Sequence, residues 1–173
     1  MKQMIAVASV PFLVGFSPSA TAAVGADAQY CAAGSSTPAF LVYFDGLKDR
    51  KGQLRLELYN NNDTDFLQDD TILIKAGKTF RRIEVNMPSS GEVAVCIKAP
   101  GPGTYALAVV HDRDFKRKFS FTIDGVGFPN NPKLGFSKPK AAKAAISVGN
   151  GVKTLRVSLN YFNGFGFSPL KRN

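Results

Sequence analysis

The chain of 173 residues has no tryptophan, one histidine and two cysteines. That inventory excludes a zinc-cluster protein, because a structural zinc site alone takes four Cys or His ligands. No Gly-x-Ser-x-Gly turn occurs, so the nucleophile elbow of a serine hydrolase is missing. Pro100-Gly101-Pro102-Gly103 lacks the Gly-Lys-Ser/Thr ending of a phosphate loop, and no helical pattern follows it. Internal repeats and extended 3.6-residue periodicities are also absent. Beyond residue 16 nothing is apolar enough to span a bilayer. The uncharged run Met4 to Phe16 has 13 residues, against the roughly 20 that a spanning helix needs.

That run follows Lys2 and precedes Ser17-Pro18-Ser19 and a row of small residues. This order of regions predicts a secretory signal peptide over residues 1–22. Ala20-Thr21-Ala22 is the first cleavage candidate and Ala26-Asp27-Ala28 the second, so cleavage falls as late as residue 28 in the alternative. The residues before Cys31 lack the small-residue pattern of a lipidation box. The organisation expected is a signal peptide, an N-terminal arm over 23–37, a folded domain over 38–162 and a C-terminal tail over 163–173. The expected location is secreted or periplasmic. In an oxidising compartment the two cysteines allow one bridge, Cys31 to Cys96; the alternative is a pair of unpaired buried thiols.

What is present suits a packed core: 45% hydrophobic residues, 20% charged, 14 Phe and 16 Gly. Short segments alternate with a period of two. Leu54, Leu56 and Leu58 face one way and Arg55, Glu57 and Tyr59 the other. Val93, Val95 and Ile97 share a face, leaving Cys96 opposite, and Tyr105, Leu107 and Val109 align with His111. Phe119, Phe121 and Ile123 form a shorter alternating piece. Leu155, Val157, Leu159 and Tyr161 alternate with Arg156, Ser158 and Asn160. Asp65-Phe66-Leu67 reads as a turn that tucks Phe66 into the core, and Asp69-Asp70 as a solvated loop. Alternation at about ten-residue spacing, punctuated by Gly, Pro and Asn, predicts an all-β fold. The form expected is an antiparallel two-sheet β-sandwich of seven or eight strands. Tyr105, just after Pro-Gly, suggests a tyrosine-corner bond to upstream backbone.

The formal net charge is +9. Residues 1–110 balance ten basic against ten acidic side chains, whereas residues 111–173 carry twelve basic and three acidic ones. Arg113, Lys116, Arg117 and Lys118 make one cluster, and Lys133, Lys138, Lys140 and Lys143 a second. Such a field draws anions over about a Debye length, ~8 Å at physiological salt. For an exported chain the expected partner is an anionic envelope component or an acidic protein, with no nucleic acid.

Four stretches carry a resemblance. They are Gly46-Leu47-Lys48-Asp49-Arg50-Lys51-Gly52, then Pro102 to Ala106 running into Val110-His111-Asp112-Arg113-Asp114, then Asp124 to Pro132, and finally Leu159-Asn160-Tyr161. Over residues 38–162 the chain resembles a bacterial family of secreted proteins labelled only as a domain of unknown function. The resemblance implies an exported immunoglobulin-like or transthyretin-like sandwich, with no established activity, cofactor or catalytic residue. Family members often show a calcium-loop spacing after the His-Asp pair. Here Asp112 and Asp114 match its first two ligands, but Lys116 stands where the third oxygen belongs and Arg117 and Lys118 add positive charge. Asp112, Asp114 and Asp124 are the weak calcium candidates; no metal or cofactor is otherwise expected.

Two functional readings result. The first is a non-enzymatic binding or interaction module of the cell envelope. Its surface is the basic loop region from His111 to Lys143, including Asp112, Arg113, Asp114, Lys116, Arg117, Lys118 and Phe128, with Phe115 and Phe136 as further apolar anchors. The second is a small hydrolase using His111 with Asp112 or Asp114. What separates them is whether His111 faces a solvent-lined pocket with a nucleophile in reach. Adjacent strand residues point to opposite faces, so Asp112 orients His111 only if the strand has already ended.

Overall fold

The computed structural model describes residues 22–170; the proposed signal peptide lies almost entirely outside them. Two sheets carry the fold, as the alternation predicts, but ten strands form rather than seven or eight. Strand β1 spans Ala39–Asp45 and β2 Gln53–Asn60. A short helix, α1, spans Asp70–Lys75, and β3 follows over Phe80–Asn86. Then come β4 (Ala94–Lys98), β5 (Gly103–Asp112), β6 (Gly125–Gly127) and β7 (Ala145–Val148). Strands β8 (Val152–Ser158), β9 (Asn160–Phe162) and β10 (Phe167–Pro169) complete the order. Strand β10 comes from the segment read as a tail.

The small sheet has the order β4-β1-β8 and the large one β10-β9-β6-β5-β2-β3, with β7 paired to the start of β5. One pairing departs from the antiparallel expectation: β1 and β8 run parallel, from Ala39 beside Val152 to Asp45 beside Ser158. Periodicity carries no strand direction, so the sequence pattern is silent on this point. The alternating run from Leu155 to Tyr161 also changes sheets. It leaves the small sheet at Ser158, Leu159 N–H donates to the Asp45 carbonyl at 2.9 Å, and the chain joins the large sheet as β9.

Between the sheets lies the main core. Leu54, Leu56, Leu58, Leu107 and Val109 from the large sheet meet Phe40, Val42, Phe44, Val95, Ile97 and Val157. Each fully buried Leu or Phe of this kind stabilises the fold by about 1.5–3 kcal/mol over its exposed state. Tyr105 packs edge-on to Phe40 and its hydroxyl donates to the Gly101 carbonyl at 3.0 Å, the tyrosine-corner bond expected from Pro-Gly-x-Tyr. Cys31 and Cys96 are bonded to each other. The bridge ties the N-terminal arm to β4. The arm is held further by Val24 beside Val95, and by Asp27, buried and paired with Arg81. Among the described residues no helix is long and apolar enough to cross a membrane.

The outer face of the large sheet is buried as well. Ala106 and Ala108 on β5 are too small to fill their side of the sheet, and Phe66 and Phe128 settle against them, edge-on at 5.9 Å. Tyr59, Leu73, Ala141 and Ala144 finish this second cluster. Leu73 reaches it from α1, whose first turn is capped by the Asp69 carboxylate accepting the Thr71 N–H at 2.9 Å. Asp69 and Asp70, read as solvated, are thus a helix cap and an ion-pair partner of Arg82. Phe119, Phe121 and Ile123 form no strand; the segment leads through turns into β6.

Candidate functional site

The second layer does not close over the whole outer face. A cavity of about 1180 Å³ remains between the sheet and three connecting segments. Its floor is built by the outward positions of neighbouring strands. Arg55, Glu57 and Tyr59 come from β2, Ala108 and Val110 from β5, Val126 from β6, and Arg82 from β3. The pairing register sets Arg55 between Val110 and Glu84, and Glu57 between Ala108 and Arg82. Phe162 of β9 and Phe167 of β10 form one wall. The remaining walls come from residues 67–71, 117–121 and 134–139. The lining is largely apolar and aromatic, with a few charged groups, which is the composition of small-molecule sites.

The aromatic side is continuous. Phe121 lies edge-on to Phe162 at 5.4 Å, Phe162 is 5.9 Å from Phe167, and Phe167 is 6.3 Å from Phe119. Phe119, Phe121 and Phe136 nevertheless stay exposed. Phe128 is buried in the floor against Phe66, so it serves as packing there, and Phe115 is exposed outside the cavity lining.

The charged floor is unevenly paired. Glu57 accepts the Tyr59 hydroxyl at 2.6 Å and the Arg82 Nε–H at 2.8 Å, and Arg82 also donates to Asp70. Burial, reinforced by the neighbouring Glu57 carboxylate, pushes the Tyr59 phenol far up, so it stays a donor. Arg55 is different. It is 3% exposed, and one of its terminal nitrogens donates to the Arg117 carbonyl. Its Nε has no hydrogen-bond partner, and among the described residues no carboxylate forms an ion pair with it.

The sequence-derived site residues divide three ways. Arg117 and Lys118 line the cavity. Arg113 turns away: its guanidinium grips Asp49 and the Ile123 carbonyl, and that guanidinium holds the Asp49 carboxyl below the usual carboxylate range. Lys116 pairs with Asp114 at 3.1 Å. The four cations of residues 113–118 therefore do not converge, although the segment is a loop.

His111 is fully buried and does not line the cavity. Its Nε2 lies 2.8 Å from the Lys51 carbonyl and its Nδ1 2.7 Å from the Tyr161 hydroxyl. A carbonyl can only accept, so Nε2 carries the proton and Nδ1 takes the tyrosine O–H. Burial lowers the imidazole pKa and keeps the ring neutral. Both nitrogens are engaged inside the protein, so the geometry offers no general base at this position. Asp112 lies on the opposite face, accepting from the Gln53 amide at 3.0 Å. Asp112, Asp114 and Asp124 come together, one carboxylate oxygen of each lying within 4.8 Å of the others.

Residues 42–156 match the profile of a family described as an uncharacterized protein conserved in bacteria (DUF2141). The chain belongs to this family. The match runs from within β1 to within β8, so it takes in the floor of the cavity and its three connecting segments but not β9 and β10, which carry the wall of Phe162 and Phe167. No curated protein and no solved structure matches the chain.

The cavity residues that sequence reasoning passed over are Arg55, Glu57 and Arg82 in the floor and Phe119, Phe121, Phe162 and Phe167 at the wall. Charged residues alternating with leucine in a strand read as a solvated face. The usable signal was Ala106 and Ala108 at outward positions of the neighbouring strand, because small side chains in mid-strand make room for a second layer.

Proposed function

We propose that the protein is an exported, non-enzymatic binding module of the cell envelope, and that its ligand is an anionic amphiphile held in the cavity on the outer face of the large sheet. One observation carries this reading: Arg55, a buried cation that forms no ion pair among the described residues, at the floor of an aromatic-lined cavity. Removing a charge from water costs several kcal/mol unless it is paired, so a ligand carboxylate or phosphate there gains a charge-assisted bond on an unpaired donor. Arg117 and Lys118 add to the positive field, and Phe119, Phe121, Phe162 and Phe167 supply apolar surface for a hydrocarbon body. Export is supported by the N-terminal segment and is compatible with the Cys31–Cys96 bridge.

The test compares a fluorescent long-chain carboxylate with the alcohol of the same chain. The carboxylate is expected to bind about tenfold tighter or better, and Arg55→Gln to remove most of that difference. Equal affinity for acid and alcohol, or no binding of either, overturns the reading.

A further inference from the structure

Asp112 ends β5 and Asp124 immediately precedes β6, and the loop between them folds back so that both carboxylates meet Asp114. Asp112 and Asp124 are fully buried. Neither forms an ion pair among the described residues, although the Arg113 guanidinium is near enough to Asp124 to act on it through space. Asp124 accepts only backbone N–H groups, from Arg113 at 3.0 Å and Ser120 at 2.8 Å. Asp112 accepts the neutral Gln53 amide on Oδ2, and its buried Oδ1 has no hydrogen-bond partner. Arg113, next in the chain to Asp112, spends its guanidinium on Asp49. Among the described residues, the ammonium paired with the cluster is that of Lys116, on Asp114, and its side chain is 73% exposed.

Three carboxylates, two of them out of water, repel one another and lose hydration together. A hard divalent cation removes both costs at once. Calcium takes oxygen ligands at about 2.3–2.6 Å, so oxygens sharing one ion lie at most about 5.2 Å apart. The three oxygens of this cluster fall within that span. Asp114 is only partly buried, leaving an approach from solvent.

We propose that Asp112, Asp114 and Asp124 form a divalent-cation site of the calcium type. Lys116 is its tethered counter-ion, displaced when the metal enters. An ion pair to a solvent-exposed ammonium is weak in water, so displacement costs little. The same loop carries Arg117, Lys118, Phe119 and Phe121, so the ion ties down one wall of the cavity. That last consequence rests on the ligand reading above; the metal site does not.

The experiment is calorimetric titration of the chelator-treated protein with calcium chloride, without amphiphile, alongside thermal melts. Wild type is expected to take one ion per chain, with a dissociation constant on the order of 10⁻⁴–10⁻³ M, and to melt at a higher temperature with calcium. Lys116→Asn removes a positive charge and adds an oxygen, and is expected to tighten binding about threefold or more. Asp112→Asn is expected to weaken it about tenfold or more. Absence of heat and of a melting shift in both wild type and Lys116→Asn at about 10 mM calcium overturns the site. So does unchanged affinity in Lys116→Asn, which is decisive even if Asp112→Asn fails to fold, and so does undiminished binding by a folded Asp112→Asn. Because no amphiphile is present, the outcome is independent of whether the cavity binds one.

Discussion

The Tyr161 hydroxyl sits 2.7 Å from His111 Nδ1 and also receives the Lys48 N–H at 3.1 Å. With His111 Nε2–H on the Lys51 carbonyl, these bonds fasten both arms of the loop between β1 and β2 to the inner face of the large sheet. Gly125 makes room for the tyrosine: a Cβ there would lie 2.5 Å from the Tyr161 ring. The arrangement is structural, and it fixes what titration does. Burial lowers the imidazole pKa in the folded state, so the unfolded chain binds more protons below its own value of about 6.5. The contribution to stability is therefore complete above that pH and is lost as pH falls toward the depressed folded value.

Tyr161→Phe is the direct probe of this contact. It leaves the His111 acceptor and the Lys48 donor without the hydroxyl, and is expected to cost about 1–3 kcal/mol in urea denaturation. Wild type should also lose stability as pH falls below about 6.5, with a shallower slope in His111→Gln. A cost below about 0.5 kcal/mol in Tyr161→Phe would show that the hydrogen bonds do not secure the loop.

Reduction of Cys31–Cys96 is expected to destabilise the fold by about 4 kcal/mol, from the chain entropy released over a separation of 65 residues. Melts with and without reductant measure it. The loss should be largest in protection of the N-terminal arm in hydrogen exchange, because that arm is joined to β4 by the bridge. Uniform loss across both sheets would show that the arm is not the element the bridge secures.

The inner layer was legible because period-two alternation is imposed wherever one face of a strand is buried: Leu54, Leu56 and Leu58 could point nowhere else. The outer layer was not. Arg55, Glu57 and Tyr59 obey the same alternation, but the layer that covers this face is built by Phe66 and α1, from the irregular segment after β2, and by Phe128, from far along the chain. Six residues are too few for α1 to show a helical period. Three alternating positions at Phe119, Phe121 and Ile123 suit an exposed turn as well as a strand. In the candidate site, the closeness of Asp112 and Asp114 follows from their spacing, whereas Asp124 joins them only through the fold of the loop.

If the N-terminal segment is cleaved as a signal peptide, packing favours the site after Ala22 over the site after Ala28. Asp27 is 1% exposed, accepts the Lys98 N–H at 2.8 Å and is paired with Arg81. Although burial alone would raise it, Arg81 and the Lys98 N–H together hold its carboxyl below the usual carboxylate range. Val24 N–H donates to the Ala94 carbonyl at 2.9 Å. Cleavage after Ala28 would discard all three contacts and leave Arg81 without this partner. Intact mass of the exported protein is expected to correspond to a chain starting at Ala23. A start at Gln29 would refute the argument.

The basic loop should separate by function along its length. Arg117 and Lys118 line the cavity, whereas Arg113 is bound to Asp49 and the Ile123 carbonyl with its side chain only 17% exposed. Changing Arg117 and Lys118 together to Gln is expected to weaken binding of an anionic amphiphile several-fold. Stability should stay within about 0.5 kcal/mol per substitution. Arg113→Gln is expected to do the reverse: it breaks a two-pronged pair between part-buried groups, costs about 1–3 kcal/mol in denaturation, and leaves affinity of the folded protein unchanged. Salt adds a second axis. Raising ionic strength from about 0.05 M to 0.5 M shortens the Debye length severalfold, so wild-type affinity should fall while the double variant responds less. Equal losses of binding in Arg113→Gln and in the double variant, with equal salt response, would mean that the loop acts as one undivided charged surface and that the cavity-facing pair has no special part in it.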